Sequence, residues 1–87
     1  MMTEKHNRMR WAARRGMLEL DLVLEPFVRN RFAELGAQDR LRFSDLMSCE
    51  DQELYTWLMQ REKPKDKELA RIVDSILEYA RTVPENR

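Results

Sequence analysis

The chain has 87 residues, 43% hydrophobic and 37% charged, with 16 Lys and Arg against 16 Asp and Glu. That apolar content excludes a disordered tail, and a mean hydropathy of −0.73 with no long apolar run excludes a membrane span. The length sets one domain, 1–87, with frayed ends expected at 1–7 and 82–87.

The first residues, Met1 to Asn7, hold no apolar signal core, and Glu4 argues against an organelle transit peptide, so a cytoplasmic location is expected. The zero net charge hides a gradient. Residues 1–16 carry five cations and one acid, 17–60 carry nine acids and four arginines, and the remainder is nearly balanced. A basic arm followed by an acidic middle gives no uniform positive face, so nucleic acid is not an expected partner.

Strand signals are missing, which sets the expected fold as all-α: a small bundle of about five helices in a single domain. Thr3 can cap a first helix running to about Arg14, with Met9, Trp11, Ala12 and Ala13 as its apolar side. Gly16 stops or bends it. In the second helix Leu20, Leu24, Val28, Phe32 and Leu35 form a stripe that ends at Gly36. Pro26 sits inside it, removes a backbone donor and crowds the preceding turn, which predicts one long helix kinked near Leu22.

A short third helix is predicted over 37–47, with Leu41, Leu46 and Met47 inward. Ser48 and Asp51 resemble a capping box with Asp in place of Glu, so a fourth helix starts near Glu50, carries Leu54, Trp57 and Leu58, and stops near Arg61. Pro64 can open the last helix, where Leu69, Ile72, Val73, Ile76, Leu77 and Ala80 make the clearest amphipathic stripe. Met17, Met47 and Met59 read as core filler.

Catalytic chemistry is hard to find. Cys49 precedes an expected helix N-terminus, where a thiolate is favoured, but with one cysteine and His6 as the lone histidine there is no disulfide, no structural zinc set and no base beside a nucleophile. A buried small residue is its simpler role. Glu19 with Asp21, and Glu50 with Asp51, do not converge as catalytic pairs, because neighbouring helical positions point apart. With two glycines there is no phosphate-cradling loop. The expectation is a chain that is not an enzyme.

One segment stands out, Arg14-Arg15-Gly16-Met17-Leu18-Glu19-Leu20-Asp21. Gly16 permits a positive φ and close approach of another backbone, while Arg14 and Arg15 offer planar donors. On the residues alone two readings stay open. One is a docking turn. The other is a plain helix boundary with an Arg15–Glu19 pair at i, i+4, worth about 0.2–0.5 kcal/mol.

The run Trp11 to Asp21 resembles the Arg-Gly-x-x-Glu signature of the SdhE (YgfY, CptB) family of succinate dehydrogenase assembly factors, or flavinators. Arg8, Pro26-Phe27, the stretch from Cys49 through Leu54 to Trp57-Leu58, and Lys63-Pro64 resemble the family's order and spacing, over about residues 8–78. Glu62 departs from it, since many members have glycine before Lys-Pro, and this bears on the shape of that loop.

The resemblance implies a factor that binds the flavoprotein subunit of succinate dehydrogenase, and of fumarate reductase, and promotes covalent attachment of FAD to a histidine of that subunit. It implies Arg15, Gly16 and Glu19 as partner-binding residues, with Arg14 and Arg8 as further contacts. It leaves open whether FAD touches this chain. No tightly bound cofactor, no metal and a monomer are expected, with FAD handled by the client. Trp57 is either an interface anchor or core. A competing expectation from the same resemblance is an antitoxin-type regulator, and a small nucleic-acid-binding helical protein is the other alternative.

Overall fold

The computed structural model describes residues 9, 11–13 and 15–82. Among them it is helical, with no strand. Met9 and residues 11–13 belong to a first helix, α1. There follow α2 (Leu18–Arg31), a 3₁₀ turn (Phe32–Glu34), α3 (Ala37–Met47), α4 (Asp51–Leu58) and α5 (Lys67–Thr82). The expected Thr3 cap and the residues beyond Thr82 lie outside the described residues.

The stripe on α2 does what its spacing dictates. Leu20, Leu24, Val28 and Phe32 are buried, and Phe27 joins them beside Pro26. The helix runs through Pro26 without a break and tightens to 3₁₀ geometry at Phe32, where Leu35 N–H donates to the Phe32 carbonyl. Arg40 closes this end, donating to the carbonyls of Leu35 and Ala33 while its guanidinium stands 5.4 Å from the Phe32 ring centroid.

The core is one cluster joining the four helices α2 to α5 and Ala13 of α1. Its aromatic centre is Phe27, stacked on Phe43 with centroids 5.7 Å apart and edge-on to Tyr79 at 5.8 Å. Phe43 also meets Phe32 at 5.9 Å. Tyr79 keeps its hydroxyl satisfied by accepting from Asn30 Nδ2 at 2.7 Å. Outside the core, Arg42 ties α3 to α5 by bonding both Asp39 and Glu68, which raises its pKa further.

Several inward and outward assignments differ from the sequence expectation. Leu41 is 58% exposed, and Phe43 takes the inward place on α3. On α5 Ala80 is exposed and Tyr79 is buried. Trp11, assigned to the apolar side of α1, is 74% exposed, whereas Ala13 is fully buried. Met47 is buried and Met17 and Met59 pack partly against the core, in line with a filling role.

The helix ends also shift. The capping box of α4 is formed by Glu50 and Glu53, with Glu50 N–H donating to the Glu53 carboxylate at 3.1 Å. Ser48 instead closes α3, its hydroxyl donating to the Asp45 carbonyl. Helix α4 ends at Leu58, three residues before the expected stop, because Gln60 turns left-handed with φ +63°. Gln60 N–H then donates to Trp57 and Arg61 N–H to Thr56, which is a Schellman closure without glycine. The left-handed residue of this loop is thus Gln60, and Glu62 needs no special backbone. Pro64 is buried in the loop and does not open α5. That start belongs to Asp66, whose carboxylate accepts from the N–H groups of Glu68 and Leu69.

Candidate functional site

The segment between α1 and α2 is a single tight turn. Gly16 adopts φ +84° and is exposed, and a Cβ placed there meets no atom within 4 Å. The backbone therefore favours glycine here, and the space above it is open. Met17 is extended and takes the N-cap place of α2, its carbonyl accepting from Leu20 and Asp21. Glu19 and Asp21 stand in the first turn of α2, where their charge suits the helix dipole.

Arg15 does not pair with Glu19. Its guanidinium turns inward and bonds four acceptors: Asp51 Oδ1 through Nε at 2.8 Å, the carbonyls of Ala12 and Met47 through Nη1 at 3.0 and 2.9 Å, and the Cys49 carbonyl through Nη2 at 2.8 Å. Its own N–H donates to Asp21 Oδ1 at 2.9 Å. The Arg15 side chain is 15% exposed. One residue thus joins the end of α1, the start of α2, the end of α3 and the start of α4. The planar fork suits this, since its donors diverge in fixed directions.

Glu19 is exposed and makes no ion pair or hydrogen bond among the described residues. With Met17, Gln52, Tyr55 and Thr56 it lines an open groove of about 470 Å³ between α2 and α4. The structure therefore brings Arg15, Gly16 and Glu19 together at one turn, the first facing in and the other two facing out. Arg8 and Arg14 lie outside the described residues. Asp21 and Asp51 were missed as members of the site. The Asp21 bond spans six residues and was open to local reasoning, but Asp51 is 36 residues from Arg15 and left no sequence signal.

Cys49 is a free thiol, half-buried, whose Sγ lies 3.7 Å from the Asp45 carbonyl. Burial pushes the thiol above its usual range and the charge of Glu53 adds to this, although Arg15 pulls the other way. The thiol is held protonated, the opposite of an activated nucleophile. Glu50 acts in the capping box and Asp51 in the Arg15 bond, so this acidic pair has structural partners. Among the described residues no three His, Cys, Asp or Glu side chains group to hold a metal. No described helix is long and apolar enough to cross a membrane. Trp57 is half-buried, packed against the core on one side and lining a groove with Pro64 and Leu69 on the other.

Together these features define a small helical domain in which an internal arginine strut holds an exposed glycine turn and an exposed carboxylate. The comparisons with known proteins give the family. Residues 7–80 match the model of Sdh5, "Flavinator of succinate dehydrogenase", and the chain belongs to this family. It is 49% identical over 71 residues to the FAD assembly factor SdhE of Pseudomonas aeruginosa, covering 82% of this chain and 84% of that one. The FAD assembly factor SdhE of Shewanella oneidensis is 52% identical over 66 residues, covering 76% and 80%. That of Vibrio vulnificus is 42% identical over 77 residues, covering 88% and 90%. These names support the assembly-factor reading and give none to the regulator alternative.

Proposed function

We propose that this chain is an assembly factor that binds the flavoprotein subunit of succinate dehydrogenase and promotes covalent FAD attachment to it, acting in the cytoplasm as a monomer. Membership of the flavinator family supports the reading. The observation that carries it to particular residues is the Gly16 turn: left-handed, exposed, with open space above it and beside it an exposed Glu19 that has no partner among the described residues. Gly16 and Glu19 are the contact residues. Arg15 acts through them as a positioning residue, and Arg14 and Arg8 are further contacts.

The chemistry belongs to the client, which supplies the flavin and the acceptor histidine. This chain contributes binding energy, and that energy favours the client conformation in which the two are aligned. A sequence with two glycines and no phosphate-cradling pattern fits a factor that leaves FAD to its client and has no catalytic group of its own. The flavoprotein subunit of fumarate reductase is a second client of the same kind.

The test is Gly16→Asn. Asparagine tolerates the left-handed backbone at a cost of about 1 kcal/mol or less, yet fills the space over the turn. Helical circular dichroism should stay unchanged while covalent flavin on the client, read by in-gel fluorescence, falls at least tenfold. Unchanged flavin yield would remove the turn from the interface.

A further inference from the structure

The groove between α2 and α4 has an electrostatic character that the turn alone does not account for. Met17, Glu19, Gln52, Tyr55 and Thr56 line it. Glu19 is the acid of its lining, and among the described residues Asp21, in the same first turn of α2, and Asp51, in the first turn of α4, are held at the Arg15 strut. Among the described residues Arg15 is the cation bonded to these aspartates, and its guanidinium nitrogens are committed inward to Asp51 and to carbonyls. Arg61 stands 5.9 Å from the Tyr55 ring centroid but does not line the groove.

The lining also offers polar atoms without partners. The Glu19 carboxylate, the Gln52 amide and the Tyr55 hydroxyl take no hydrogen bond among the described residues. Beside them the Met17 and Tyr55 side chains provide apolar wall, and on α2 Leu18 and Leu22, one turn apart, are 67% and 66% exposed. Exposed carboxylate, free amide and hydroxyl, and adjoining apolar surface suit an extended protein segment better than a small ion.

We propose that this groove receives a basic segment of the flavoprotein client, with a Lys or Arg whose charge meets Glu19 and whose methylene stem lies along Met17 and Tyr55. The inference rests on the assembly-factor reading and adds α4 to the docking surface. Attraction between the Glu19 carboxylate and a basic segment speeds association and weakens as salt screens it.

The experiment measures binding of the purified chain to the apo flavoprotein subunit of succinate dehydrogenase at low and high salt. Unsubstituted protein should lose about fivefold in affinity at the higher salt. Gln52 is exposed and its side chain bonds nothing among the described residues, so Gln52→Lys leaves the helix intact. It should weaken low-salt binding about tenfold, a gap that closes at high salt, whereas Gln52→Glu should bind at least as well as the unsubstituted chain. Binding of Gln52→Lys equal to the unsubstituted chain, or a loss equal at both salt levels, overturns the basic occupant. If Gly16→Asn still abolishes capture in that case, the assembly-factor reading stands without the groove. If the unsubstituted chain captures no flavoprotein subunit at all, both fall.

Discussion

Arg15 and Glu19 share one sequence signature yet stand under opposite physical constraints. Four carbonyl and carboxylate oxygens converge on the Arg15 guanidinium, three of them in the end of α1 and the α3–α4 junction as backbone carbonyls. A lysine there carries charge but cannot reach acceptors that diverge in a plane, and it strands partly buried carbonyls. Arg15→Lys should therefore cost about 2–3 kcal/mol in urea unfolding and lower client flavinylation with it. Glu19→Ala removes no partner among the described residues and should change stability by less than about 0.5 kcal/mol while lowering flavinylation. Comparable destabilisation by both would show that Glu19 is a structural residue. Cys49 belongs with Arg15: its carbonyl holds the strut, and its thiol, pushed up by burial, stays protonated through neutral pH.

At the scale of the element, the closures between helices decide where the chain turns. Gln60 closes α4 in the left-handed region without being glycine, a conformation that costs an L-residue about 1 kcal/mol. Gln60→Gly should raise the urea midpoint by the equivalent of about 0.5–1 kcal/mol, since relief of strain outweighs the added chain entropy. A lowered midpoint would mean that the Gln60 side chain stabilises the loop in another way. Helices α2 and α3 were legible because Gly36 separates two helical stripes, and the α3 bounds, 37–47, coincide with those expected, although α2 gives way to the 3₁₀ turn at Phe32 before reaching Leu35. The start of α5 was not. Pro64 and Asp66 are both ordinary helix openers two residues apart, and what separates them is burial of the proline ring in the loop, a tertiary fact. The same holds for Leu41 against Phe43. Both fit a helical face, and the choice fell to the ring that could stack on Phe27.

Across the whole molecule, the docking turn and the aromatic core are coupled through the marginal stability of a small domain. A chain of this size holds about 5–10 kcal/mol in total, so losing one core ring removes a large part of it. Within the signature, the sequence carried the identity of Arg15, Gly16 and Glu19 and the need for a turn. It did not carry the inward direction of Arg15, which depends on oxygens 32 to 36 residues away. Loss of function can therefore arise either at the surface or through unfolding, and the two respond differently to a stabilising osmolyte. Phe43 is fully buried between Phe27 and Phe32, so Phe43→Ala should cost about 3–5 kcal/mol and raise the unfolded fraction at 37 °C. Its flavinylation defect should shrink when trimethylamine N-oxide restores the folded fraction, because exclusion of the osmolyte favours burial. The defect of Glu19→Ala, whose fold is already intact, should not move. If the osmolyte rescues both variants alike, the exposed carboxylate is not a contact and the outward face of the turn loses its role.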